Sequence, residues 1–126
     1  MSVYLAIALG GSFGAVCRYW VSMTSSGWLG NEFPYGTLIV NVSGSFAMGF
    51  LVILLTEKIV MPEAFRLALI VGFLGSYTTF STFALDSLQS LSSGALIKVT
   101  AYILMSVFGS ILGVWLGHVS ARVLMR

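Results

Sequence analysis

The stretch that decides the fold runs from residue 75 to residue 86 and reads GSYTTFSTFALD. It follows LALIVGFL at residues 67–74, an apolar run suited to the interior of a bilayer. Yet it opens on a glycine and carries six hydroxyls, on Ser76, Tyr77, Thr78, Thr79, Ser81 and Thr82, with Phe80 and Phe83 three residues apart. Inside a bilayer every backbone polar group needs a partner, so irregular backbone survives only where protein or a water-filled cavity covers it. Gly72, Gly75 and the Thr-Thr pair are poor helix formers. Two readings of this segment stand side by side. In one the helix breaks between Gly75 and Thr79: freed carbonyls then suit a cation, and the following half-helix, capped by hydroxyls of Thr79, Ser81 or Thr82, suits an anion. In the other the helix is continuous and the hydroxyls bond back to the preceding turn.

The rest of the chain fixes the solvent. Of 126 residues, 58% are hydrophobic and only 8% charged, and the mean hydropathy is +1.01. A soluble domain carries about 25% charged residues, so this is an all-α integral membrane protein of one domain, residues 1–126. Four segments meet the ~20-residue length of a crossing helix: Val3 to Met23, Gly36 to Thr56, Ala64 to Leu88, and Leu96 to Leu124. The first has no basic residue ahead of it and no convincing cleavage site, so it is kept as a mature helix. Short connections, SSGWLGNEFPY, EKIVMPE and SLQSLSSG, leave no room for an extramembrane domain. Pro34 and Pro62 stand just ahead of spans, where a missing N–H costs little. The lone Cys17 excludes an intrachain disulfide and reads as a small packing residue. Four spans put both termini on one side, with Lys58, Arg66, Arg122 and Arg126; the other side holds Arg18 and Lys98. That bias of two charges gives weak orientation, with the termini cytoplasmic or with insertion both ways.

Polar residues within the spans are the candidates for function. Asn41, in TLIVNVSGSFAMG, has two amide hydrogens that suit an anion, or it ties two helices together. Tyr102, Ser106 and Ser110 recur every four residues on one helix face, three hydroxyls over about 12 Å of helix; they form either an ion track or a small-residue contact. Gly109, Gly113 and Gly117 line a neighbouring face, and Gly10 and Gly14 do the same in the first span. So much close-packing surface in four helices suggests an oligomer. Phe80 and Phe83 share a face, and the positive edge of an aromatic ring attracts an anion without trapping it. Arg18 either snorkels to headgroups or lines an aqueous vestibule. Asp86 and His118 read as interfacial. No nucleophile–base pair, phosphate loop or zinc spacing is present, which argues against an enzyme.

The residues GGSFGAVCRYW (10–20), GTLIVNVSGSFAMG (36–49) and above all GFLGSYTTFSTF (72–83) resemble the small bacterial fluoride channels, the Fluc or CrcB family, over essentially the whole chain. Ser76 departs from the pattern, standing where that family most commonly has a second glycine. The resemblance implies an antiparallel, dual-topology homodimer in the bacterial inner membrane, with two pores and a structural Na+ at its centre. It implies that the backbone carbonyls of Gly75 and Thr78 hold the Na+. Asn41, Phe80 and Phe83 are then fluoride-pore residues supported by Thr79, Ser81 and Thr82; Tyr102, Ser106 and Ser110 are the polar track, and Arg18 belongs to the vestibule. Fluoride, the lipid bilayer and a second copy are the implied partners, with no nucleic acid. A proton-coupled small multidrug exporter would need an acid deep in a span, and Glu32, Glu57, Glu63 and Asp86 all lie off the centres. A purely structural subunit would explain the glycines but not the TTFSTF run.

Overall fold

The computed structural model describes residues 2–126. Four helices are long and apolar enough to cross a membrane: Val3–Leu29, Tyr35–Lys58, Glu63–Ser92 and Leu96–Leu124. There is no β-strand among the described residues. The first helix starts on Ser2, whose hydroxyl accepts from the N–H of Leu5 at 3.2 Å. It runs six residues past the expected end at Met23, through Ser25, whose hydroxyl donates to the carbonyl of Val21 at 2.7 Å. That back-bonding lets polar residues continue the helix beyond the apolar stretch. Gly30 stops it at φ 80, a backbone conformation that glycine adopts without steric cost.

Backbone-to-backbone packing builds the bundle. The fourth helix lies on the second, where a Cβ at Gly49 would strike the carbonyl of Val114 and one at Gly117 the carbonyl of Phe46. The first helix meets the third in the same way: a Cβ at Gly10 would strike the carbonyl of Ala68, and one at Gly14 that of Phe73. The third helix widens into π-helical turns over Ala68–Leu74, the stretch that holds Gly72. A Cβ there would lie 2.6 Å from the carbonyl of Ile7 and 3.0 Å from the amide nitrogen of Gly11. Ser76 uses the neighbouring glycine, since a Cβ at Gly11 would come within 3.1 Å of its hydroxyl. The glycine stripes are therefore consumed within one chain, which corrects the inference from them to an oligomer.

The outside of the bundle is apolar. Tyr4, Phe13, Trp28, Phe108 and Trp115 are all exposed, whereas Tyr102, Leu74 and Val40 are sealed inside. Such a surface matches a bilayer rather than water. The fold is a multi-pass membrane protein of four helices whose third is interrupted.

Candidate functional site

The interruption is two residues long. Helix ends at Tyr77 and resumes at Phe80; Thr78 (φ −85, ψ 157) and Thr79 (φ −152, ψ 119) between them are extended. Thr78 closes the first half, its N–H and its hydroxyl both donating to the carbonyl of Leu74, at 3.1 Å and 3.0 Å. The N–H of Thr79 donates to Asn41 Oδ1 at 2.7 Å, and Asn41 Nδ2 donates back to the carbonyl of Thr79 at 2.9 Å. A carboxamide thus pairs with both backbone groups of one residue, as a neighbouring β-strand would. The donor and acceptor of that residue fix which way the Asn41 amide points. The hydroxyl of Thr79 accepts from the N–H of Thr82 at 3.2 Å and caps the second half. Of the two readings of the segment, the broken helix is the one that occurs.

The break leaves carbonyls bare. In a continuous helix the N–H of Thr79 would bond to the carbonyl of Gly75, but Asn41 has taken it. Among the described residues no backbone N–H closes on the carbonyl of Gly75 or of Thr78 across the break. Gly75 is exposed, and a Cβ on it would meet nothing nearer than the Ile70 carbonyl at 3.9 Å. These oxygens fit a hard cation, which takes carbonyl ligands.

Around the break a groove of about 490 Å³ gathers Asn41, Thr78, Thr79, Phe80, Phe83, Ser106 and Ser110. The two phenylalanine rings lie 5.4 Å apart, tilted by 52°. They differ sharply in environment: Phe83 is 9% exposed and Phe80 78%. Ser106 is buried, and its hydroxyl has no hydrogen-bond partner. A buried, unpaired hydroxyl lining a groove is a donor held ready for something that enters it. Asn41 has the same property, because its second amide hydrogen is not used by Thr79.

Tyr102 stands behind the groove rather than in it. It is fully buried, with its ring 5.3 Å from that of Phe83. Its hydroxyl donates to Asp86 Oδ2 at 3.0 Å, and the Thr37 hydroxyl donates to the same oxygen at 2.7 Å. The carboxylate of Asp86 thus turns inward onto Tyr102 and Thr37. The spacing held a hint of this, because Asp86 follows Phe83 by three residues and shares its helix face.

Arg18 and Thr82 lie elsewhere, in a cleft of about 250 Å³ with Thr37 and Thr79. That cleft shares Ser22 and Thr37 with a polar cavity of about 340 Å³ that holds Asp86 and Lys98. Ser81 is exposed, 3.3 Å from the Thr79 hydroxyl. The predicted residues therefore fall into two connected places, an aromatic groove and a polar antechamber, with Thr79 lining both.

The family of CrcB-like proteins (Camphor Resistance, CrcB) has a sequence pattern that matches residues 5–118. The chain belongs to the CrcB family. A CrcB protein of Magnetococcus marinus named as a fluoride-specific ion channel, FluC, is 45% identical over 118 residues, 94% of this chain and 96% of that one. The FluC of Vibrio campbellii is 43% identical across all of this chain and 97% of its own length. The FluC of Methylococcus capsulatus is 50% identical over 93% of this chain; the match spans only about half of that relative, 51%. These relatives are named as ion channels, so the CrcB family is not enzymatic.

Proposed function

We propose that this CrcB chain is a passive fluoride-selective channel that lets fluoride leave the bacterial cytoplasm across the inner membrane. The observation that carries this reading is the groove. One surface gathers two aromatic rings, an amide hydrogen and an unpaired serine hydroxyl, all donors or positive edges and none a full charge. Fluoride is small and holds its water strongly. A path for it must replace that water with hydrogen bonds while binding weakly enough to let go. Asn41 and Ser106 supply hydrogen bonds, and Phe80 and Phe83 present ring edges. Ser110, one turn beyond Ser106, receives the ion next, and Arg18 concentrates anions in the antechamber.

The groove is open on one side, and Phe80 projects from it almost wholly uncovered. Lipid cannot form the missing wall of a path for a partly dehydrated anion. A second copy of the chain supplies it, inserted antiparallel, as the weak charge bias allows. Two copies give two such grooves and therefore two pores. The backbone carbonyls of Gly75 and Thr78 would hold the central Na+, whose positive charge offsets the bared carbonyl dipoles of the break.

Fluoride efflux from loaded liposomes tests the reading. Rapid loss that requires valinomycin, with chloride retained, is the expected result. Loss that follows a proton gradient without valinomycin would instead make the protein an exchanger.

A further inference from the structure

The hydroxyl track does not stop at Ser110. Steps of four lead on to Val114, His118 and Arg122, turning about 40° round the helix at each step. The groove's lining reaches Val114, so His118 stands one turn beyond its end, on the side of the membrane that holds the termini. There Arg122 Nε donates to His118 Nε2 at 2.9 Å, and Arg122 Nη2 pairs with Glu57 Oε1 at 3.0 Å. Both members of the ion pair are half-exposed, at 54% and 44%, so water reaches the cluster.

The chemistry of the Arg122–His118 bond has one requirement. A guanidinium only donates, so His118 Nε2 must carry a lone pair. Protonation of His118 turns that acceptor into a donor facing a permanent donor, and the bond cannot persist. The charge sum changes with it: Glu57 and Arg122 cancel while His118 is neutral, and the cluster carries one net positive charge once it is protonated. Other charged groups at this end are Lys58 on the second helix, Glu63 and Arg66 on the third, and Arg126 beyond the fourth. Among the described residues none of them is hydrogen-bonded or ion-paired to the cluster. Asp86, on the other half-helix packed against the fourth, lies at the opposite end.

We propose that Glu57, His118 and Arg122 form an anion-receiving site at the terminus-side mouth of the track, silent when His118 is neutral and recruiting small anions when it is protonated. This rests on the fluoride-channel reading and extends it. One added charge raises the population of a small anion about 10 Å away in water-like surroundings about twofold.

The test is fluoride conductance in planar bilayers, a current that neutral HF does not carry. Wild type is compared at about pH 5.5 and about pH 7.5. At about 0.01 M ionic strength, where the Debye length is ~30 Å, conductance should rise about twofold at the lower pH; at about 1 M, ~3 Å, the rise should vanish. His118→Gln should be pH-flat at the lower conductance. Glu57→Gln, which removes the cancelling carboxylate, should be raised already at the higher pH. A pH-flat wild type, or an unchanged step in His118→Gln, would overturn this inference alone. No fluoride current at either pH would overturn the channel reading and this inference with it.

Discussion

Asn41→Ala tests how the broken helix is held. The substitution removes the acceptor at 2.7 Å from the N–H of Thr79 and the donor at 2.9 Å from its carbonyl. The Thr79 N–H is then left without an acceptor at a buried position. An orphaned buried donor costs about 1–3 kcal/mol and the second bond adds about 1 kcal/mol. Measured interhelical bonds in bilayers average nearer ~0.6 kcal/mol, which pulls the sum down to about 2 kcal/mol. At 1.4 kcal/mol per tenfold, that is about a 30-fold faster exchange of the Thr79 amide. Site-resolved hydrogen exchange on the detergent-purified protein, beside its thermal unfolding, reads both quantities. Asn41→Asp keeps the acceptor and loses only the donor, so Thr79 should stay protected in that variant while fluoride transport is lost. Unchanged exchange at Thr79 and an unchanged unfolding temperature in Asn41→Ala would refute this account of the break.

Four further outcomes follow from the same geometry. Phe80→Ala removes a ring that its own chain leaves uncovered and should leave the fold of one chain within about 0.5 kcal/mol, whereas Phe83→Ala empties a buried site against Tyr102 and should cost about 3 kcal/mol; both should abolish fluoride efflux. Gly117→Ala, whose Cβ strikes the Phe46 carbonyl, should destabilise the fold by about 1–3 kcal/mol, visible as poor expression and aggregation on size exclusion. Gly75→Ala meets open space in one chain, so it should preserve helix content by circular dichroism yet shift the species from dimer to monomer in cross-linking. Exchanging sodium for a bulky organic cation should lower the unfolding temperature of wild type and leave the monomeric Gly75→Ala unmoved; equal response in both would count against a sodium site between the two copies.

Much of the architecture was legible because the bilayer simplifies the rules. Four apolar runs of crossing length appear as four helices, and Pro34 and Pro62 stand at the starts of the second and third. Boundaries were less legible: the first helix runs on through Ser25 because a hydroxyl can satisfy itself on the preceding turn, which no apolar window registers. The break over Thr78 and Thr79 was legible as one of two readings, and residue 41 decides between them, 38 positions away in sequence. That pairing depends on how the second and third helices dock, which composition does not encode. The glycine stripes misled for a similar reason. Spacing shows that a face is smooth enough for close approach, but not whether the approaching helix belongs to the same chain. The partners of Asp86 were not legible because distance from a span's end says nothing of side-chain direction; Thr37 and Tyr102, on two other helices, draw it inward.

A fluoride path that refuses chloride sets its own reversal potential, and bi-ionic conditions read it. Fluoride bathes one face of a bilayer containing the purified protein and chloride the other, and the voltage of zero current is read. A reversal potential that follows the fluoride gradient and ignores added chloride is the result this account predicts. A reversal near zero, shifting equally with either anion, would contradict it and reduce the aromatic groove to packing.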